Sequence, residues 1–167
     1  MNRIAFLLCC FLLPLAPALR AQDLPAGIED VGFEAPAVYK AQHDNVVKVV
    51  DWLLAVPVDN APQERQKANA YLLAFLTGSP DVTVNLGSVG VYPEAPALLM
   101  AFMGGWARHM IVNDAYGDMA GAKLAGARAV VTLYERNRAT LPRIKAVEKM
   151  AKLDGKGKLA DWLAKQE

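Results

Sequence analysis

Apolar residues recur at helical spacing along most of the chain, and one stretch is apolar on every side. That stretch, Pro96 to Val112, reads PALLMAFMGGWARHMIV, and no charged residue occurs from Ala95 to Ala107. A helix that is apolar all round is a buried helix. The uncharged run of 13 residues is shorter than the roughly 20 residues that a bilayer span needs. We therefore predict a buried central helix over about residues 93–112.

Amphipathic patterns and helix-ending residues predict the other elements. The first predicted helix is Lys40 to Val56, which Pro57 ends, and the second is capped by Asn60, has Pro62 in its first turn and ends at Gly78 in a left-handed cap. After the central helix, a helix capped by Asp118 is predicted from Met119 to Arg138. Two C-terminal helices are predicted near residues 144–151 and 159–163. The segment Asp81 to Tyr92 is predicted to be a loop, because no second strand is evident to pair with it. The fold class is all-α: a compact bundle of five or six helices around the central one.

Small residues predict a close helix pair within this bundle. Ala122, Ala125, Gly126 and Ala129 lie at spacings of three and four along the predicted helix 119–138. Residues of this size let a second helix approach closely. The central helix has its own pair, Gly104 and Gly105, and is the expected partner.

The first residues have the pattern of a secretory signal peptide. A positive start at Arg3 precedes the apolar run Ile4 to Leu13, and prolines and small residues follow. Cleavage after Ala18 or after Ala21 fits the small-residue rule, and we prefer Ala21 because polar residues follow it. The domains are then a signal peptide at 1–21, an extended arm at 22–38 and one helical domain at 39–167. We expect an exported protein, periplasmic or secreted, without a membrane span once the signal is removed.

Composition narrows the possible chemistry. Both cysteines, Cys9 and Cys10, lie in the signal segment, so the mature chain has no thiol and no disulfide. Residues 22–122 carry 12 acidic and 5 basic side chains, whereas residues 123–167 carry 11 basic and 5 acidic ones. The basic residues are spread along helices with few aromatics between them, which favours mutual complementation of the two halves over a nucleic-acid site.

Catalytic motifs are absent, although histidine leaves one enzymatic alternative open. The chain has no His-Glu-x-x-His motif, no Gly-x-Ser-x-Gly elbow and no phosphate loop of the right spacing. The candidate acid–base group is His109 with Asp114 or Asp118, as in a hydrolase. That alternative requires His109 to lie within reach of a carboxylate.

A metal site is the second chemical alternative. If His43, His109 and Asp114 converged, they would form a site with two histidines and one carboxylate. The competing interpretation gives each histidine an ordinary structural role, because sequence distance cannot show convergence. We expect no cofactor.

Aromatic and arginine residues supply the candidate binding surface. The set is Trp106, Arg108, Tyr116, Arg128 and Tyr134, and its composition is typical of protein interfaces and of sites for anionic groups. The alternative is that the rings pack in the core and the arginines are solvated.

One segment resembles a known repeat. Ala129 to Pro142, AVVTLYERNRATLP, resembles the second helix of a tetratricopeptide repeat, which implies a helical repeat scaffold. Residues 70–78 and 97–105 also match each other, but their spacing is not the ~34 residues of that repeat. The leading interpretation is a non-catalytic binding or protein-interaction module, whose partner is an unknown protein or small molecule in the export compartment. The hydrolase and the repeat scaffold are the alternatives.

Overall fold

The computed structural model describes residues 23–29, 31–87 and 95–166, and over these residues the chain is all-helical and compact. Seven α-helices and no strand occur in the described ranges: α1 Pro36–Ala41, α2 His43–Ala55, α3 Pro62–Gly78, α4 Pro96–Val112, α5 Met119–Arg136, α6 Lys145–Asp154 and α7 Leu159–Leu163. The all-α prediction is thus confirmed. The signal segment 1–21 and the part of the predicted loop from 88 to 92 lie outside the described residues.

The first helix differs from the prediction. The sequence predicts an extended arm up to residue 38, but residues 36–38 form the first turn of α1, which begins at Pro36. Gln42 then separates α1 from α2, so one predicted helix from Lys40 is two helices. Tyr39 is the buried residue of α1, and its hydroxyl donates to the carbonyl oxygen of Phe33 at 2.9 Å. Burial of this ring stabilises a helix that is too short to persist alone.

Both predicted ends of α3 are wrong in detail. The N-cap is Ala61 in the left-handed region, at φ 49°, and not Asn60. At the other end, Gly78 is the last helical residue and Ser79 continues in extended backbone, so no left-handed cap forms. Gly78 is instead required by packing, because a Cβ there would collide with the hydroxyl of Tyr39. A contact distant in sequence therefore decides the glycine's role.

The stretch predicted as the central helix is α4, and it is buried along most of its length. All residues from Ala101 to Ala107 are buried, and Trp106 is 2 % exposed. α4 packs against α2, α3 and α5. α6 and α7 pack against α5 and against each other. No helix among the described residues has the length and apolarity needed to cross a membrane.

The predicted close approach of α4 and α5 is confirmed at two glycines. A Cβ on Gly105 would lie 2.5 Å from the Cβ of Ala129 and 2.9 Å from the carbonyl oxygen of Ala125. A Cβ on Gly126 would lie 2.8 Å from the carbonyl oxygen of Phe102. The two backbones are therefore close enough that neither position accepts a methyl group without movement.

Candidate functional site

A cavity of about 710 Å³ lies where α4, α5 and α7 meet. This volume is in the range of small-molecule sites, roughly 300–1,000 Å³. Most of its lining is apolar and comes from the three helices and the residue after α7: Trp106, Met119, Ala120, Leu124, Ala160, Leu163 and Ala164. Met119 is 45 % exposed, and Ala120, Ala160 and Ala164 are also exposed, so the cavity opens to solvent.

Helix geometry explains why these residues meet. Met119, Ala120, Lys123 and Leu124 recur at spacings of three and four and so share one face of α5. α7 lies across that face, and Lys123 Nζ donates to the carbonyl oxygen of Leu163 at 3.0 Å. This bond holds the C-terminal end of α7 against α5. A cation is favourable at a helix C-terminus, because the last carbonyl groups there have no partner within the helix.

Lys123 and two amide side chains give the cavity its polar groups. The indole Nε1 of Trp106 is buried and has no hydrogen-bond partner, although an indole N–H in the interior normally finds one. Lys123 adds a positive charge to the wall, and Asn85 and Gln166 add amides. No acidic residue is among the described lining residues. The cavity thus offers apolar surface, a cation and two amide side chains.

The predicted arginines point to carboxylates on other helices. Arg108 Nε donates to Asp51 Oδ1 of α2 at 2.8 Å, and Arg128 Nε donates to Asp154 Oδ1 of α6 at 2.9 Å. Neither arginine lines the cavity. Of the five candidate binding residues, only Trp106 does.

Tyr116 and Tyr134 lie at two other helix contacts. The Tyr116 ring centroid is 6.1 Å from that of His43, and its hydroxyl is 3.4 Å from His43 Nδ1. Burial, followed by the charges of Asp114 and Asp81, raises the pKa of Tyr116. Tyr134 is buried, and its hydroxyl accepts from the backbone N–H of Ile144 at 3.0 Å, directly before α6. The two rings thus join α2 to the α4–α5 turn and α5 to α6.

His109 and Asp118 do lie together. His109 Nε2 is 2.8 Å from Asp118 Oδ2, across the turn that joins α4 to α5. Asp118 Oδ1 accepts from the backbone N–H of Gly121 at 2.9 Å, as predicted for the cap of α5. The bonds from Gly121 and then His109 lower the pKa of Asp118. The distance condition of the acid–base alternative is met for Asp118.

The other nitrogen of His109 is also engaged. Its Nδ1 lies 3.3 Å from the amide nitrogen of Asn113, which also donates to the backbone carbonyl oxygen of His109 at 2.8 Å. With the ring proton on Nε2, both ring nitrogens have partners, and none is left to take a proton from a substrate. In this arrangement the pair fastens the end of α4 to the start of α5.

The three candidate metal ligands are not brought into one group. His43 lies against Tyr116 and Phe75, whereas His109 bonds Asp118 and Asn113. Among the described residues there is no group of three or more His, Cys, Asp or Glu side chains that could hold a metal ion. Asp114 is in the left-handed region, at φ 49°, where it turns the chain after α4.

Most cavity residues carried no functional signal in the sequence. Met119, Lys123 and Leu124 look like an ordinary helix face, and α7 has only five residues. The helical spacing within α5 indicates one face, but not which helix covers it. No family model matches the chain, and no curated protein or solved structure matches it significantly.

Proposed function

We propose that this protein is an exported, non-catalytic binding protein that takes a small, largely apolar molecule into the cavity between α4, α5 and α7. The single observation that carries the proposal is the largely apolar cavity of about 710 Å³. Export rests on the signal-peptide pattern of residues 1–21. The compartment is the periplasm or the extracellular space, and no nucleic acid or cofactor is part of the proposal.

The side chains around the cavity support binding more than catalysis. The wall holds no carboxylate, histidine or serine among its described residues that could act as a base or nucleophile. The candidate pair His109 and Asp118 lies outside the lining and is held by Asn113 and Gly121. A small molecule entering this cavity would therefore meet groups that hold it rather than react with it.

A cavity-filling series tests the proposal. Ala160 and Ala120 line the cavity and are exposed, so Ala160→Phe and Ala120→Phe add bulk there without overpacking the core. We expect the wild-type protein to bind 1-aminoanthracene, an uncharged fluorescent probe, with a stoichiometry of one. Both variants should weaken binding at least tenfold, as measured by fluorescence titration.

The matched control is Ala146→Phe, an exposed alanine of α6 that does not line the cavity. It makes the same chemical change and should leave binding unaltered. Circular dichroism confirms that each variant folds. Equal affinity in all four proteins, or no saturable binding to the wild type, would contradict the proposed site.

Export has its own test. When the full chain is expressed with its first residues intact, the protein in the periplasmic or culture fraction should begin at Gln22, or at Leu19 if cleavage follows Ala18. Intact mass distinguishes these two ends. A protein that keeps Met1 and stays in the cytoplasm would contradict export without affecting the cavity.

A helical scaffold for a protein partner is the second candidate, and the order of helix contacts favours it. The chain forms successive pairs α2–α3, α4–α5 and α6–α7; α4 packs on both helices of the first pair, and α5 packs on both helices of the third. Such a row is typical of helical repeats, whereas a single bundle places every helix around one centre. The pairs begin at residues 43, 96 and 145, a longer period than the ~34 residues of a tetratricopeptide repeat.

Hydrogen exchange separates the two architectures. In a row of pairs, the amides of α6 and α7 should exchange through a local opening that leaves α2 and α3 protected. In a bundle around α4, the most protected amides of every helix should exchange together in one global unfolding. The second result would remove the scaffold candidate.

A further inference from the structure

The polar groups of the cavity identify the class of ligand, and this inference rests on the proposed binding function. We propose that the ligand is an amphipathic monocarboxylate, with an apolar body and one carboxylate group, of which a medium-chain fatty acid is the simplest example.

The charge of the wall favours an anion. Lys123 is the charged residue among the described lining residues, and no aspartate or glutamate there offsets it. Lys123 is partly buried, which strengthens its interaction with a nearby opposite charge relative to bulk water. The charge of Lys123 would repel a cationic head group, and a neutral head group would leave this charge without a partner in the ligand.

The ammonium group of Lys123 favours a carboxylate over a neutral oxygen acceptor. A carboxylate has two oxygens and accepts charge-assisted bonds, which are stronger than neutral ones. Trp106 also lines the cavity, but its Nε1 is buried, so the carboxylate is placed at Lys123 alone.

Lys123 is also held in place. Its Nζ donates to the carbonyl oxygen of Leu163 at 3.0 Å, which uses one of its three protons and fixes the ammonium group beside α7. Two N–H groups remain for a ligand. Because the side chain is already ordered, carboxylate binding costs little additional side-chain entropy.

The aliphatic lining of the cavity favours an apolar body on the ligand. Met119, Leu124, Leu163 and three alanines supply aliphatic surface, and no negatively charged side chain occurs among the described lining residues. Methionine adapts to ligands of different outline. An aliphatic and an aromatic acid share this chemistry, and the experiment distinguishes them.

The test compares ligands of equal length and different head groups. Decanoate and decylamine, below their critical micelle concentrations, and decanol, below its solubility limit, are titrated into the full mature protein, and each Kd is measured by calorimetry. We expect decanoate to bind at least tenfold more tightly than decanol, a difference of about 1.4 kcal/mol, and decylamine to bind most weakly. Naphthalene-2-carboxylate replaces decanoate in a parallel titration, and the tighter of the two acids identifies the aliphatic or the aromatic source.

Three lysine variants connect the preference to the ammonium group of Lys123. Lys123→Gln removes the charge and should make the Kd of decanoate equal to that of decanol within about twofold. Lys165→Gln makes the same change at an exposed lysine just after α7 that does not line the cavity, and it should retain the preference. Lys123→Arg keeps the charge and should retain most of the preference for decanoate. This result would show that the loss of preference in Lys123→Gln comes from the missing charge and not from misfolding.

Equal Kd values for decanoate and decanol in the wild type would overturn the carboxylate inference. If 1-aminoanthracene still bound in the cavity, the proposed binding function would stand. Failure of every probe to bind would overturn both proposals.

Discussion

The guanidinium group of Arg65 donates to the backbone carbonyl oxygen of Val56 at 2.5 Å. The same group reaches the carbonyl oxygens of Leu53 and Pro57 at 3.3 Å, so it occupies the acceptors at the end of α2. Arg65 is 7 % exposed, and its guanidinium carbon lies 5.7 Å from the centre of the Trp52 ring. Burial lowers the pKa of Arg65, and the carbonyl oxygens replace the water that the cation has lost.

Arg65→Met is therefore expected to destabilise the protein by about 2–3 kcal/mol, because it leaves buried carbonyl oxygens without a donor. Arg65→Lys keeps the charge but not the planar group that reaches several acceptors, and it should recover only part of the loss. Urea unfolding measures both values. A Lys variant as stable as the wild type would show that charge alone suffices.

Alanine substitutions at glycines test the close approach of α4 and α5. Gly105→Ala should cost about 1–3 kcal/mol, because the new methyl group meets backbone and the Cβ of Ala129. Gly104→Ala should cost less, since its nearest neighbours are side-chain ends: the Cγ2 of Val50 at 3.0 Å and the Cδ2 of Leu72 at 3.3 Å. Gly117→Ala is the control, because a Cβ there has no neighbour within 4 Å.

The double variant Gly105→Ala/Ala129→Gly shows which contact is responsible. It removes the Cβ of Ala129 but leaves the carbonyl oxygen of Ala125 near the new methyl group. We expect partial recovery of the midpoint of thermal unfolding. Full recovery would assign the whole cost to the two Cβ atoms.

Asp118 provides a pH-dependent test of the α4–α5 turn. Its pKa in the folded protein is below the ordinary value of 3.8, because Gly121 and His109 bond the charged form. The stabilisation is therefore complete above pH 3.8 and is lost as the pH falls through the lower, folded pKa. Asp118→Asn keeps a good capping side chain, whereas Asp118→Ala does not.

At pH 7 we expect thermal stability in the order wild type, then Asn, then Ala. The difference between wild type and Asp118→Asn should shrink as the pH falls below 3.8, because the wild-type carboxyl then becomes neutral. Thermal unfolding between pH 7 and pH 3 measures this convergence. A difference that does not change over this range would contradict a role for the charged carboxylate.

Tyr71 provides the corresponding test at high pH. Burial raises its pKa to about 12 from the ordinary 10.0, and its hydroxyl bonds Gln42 Oε1 at 2.9 Å. Between these two values the unfolded chain loses a proton that the folded chain keeps, so stability falls as the pH rises. Phenylalanine at position 71 has no hydroxyl group to titrate. Tyr71→Phe also loses one hydrogen bond, which lowers the free energy of unfolding by about 1 kcal/mol at neutral pH.

The deficit of Tyr71→Phe should therefore become smaller between pH 8 and pH 11, as measured by urea unfolding of both proteins. The lysines and the other tyrosines are common to both chains, and their titration cancels in the comparison. A deficit that stays constant with pH would show that Tyr71 ionises in the folded protein as easily as in the unfolded one.

The sequence alone determined the helices with strong local signals. The apolar run of α4 fixed its burial, Asp118 marked the start of α5, and the small residues near Gly126 predicted the helix that approaches α4. These features depend on neighbours within a few positions, where helix geometry fixes which side chains share a face. The sequence did not predict the start of α1 or the role of Gly78, because both depend on the packing of Tyr39 against residues elsewhere in the chain. It also did not predict that Ala61, and not Asn60, is the N-cap of α3.

The candidate site is a feature that depends on contacts between residues distant in the sequence. Trp106 was identified as a binding residue from its type, but its companions in the cavity are Lys123 and Leu163, which are 17 and 57 positions away. The predicted arginines bond Asp51 and Asp154 on helices that the pattern did not assign as their neighbours. Periodicity determines the face on which a residue lies, whereas only tertiary packing decides which helix lies opposite and whether a cavity remains between them.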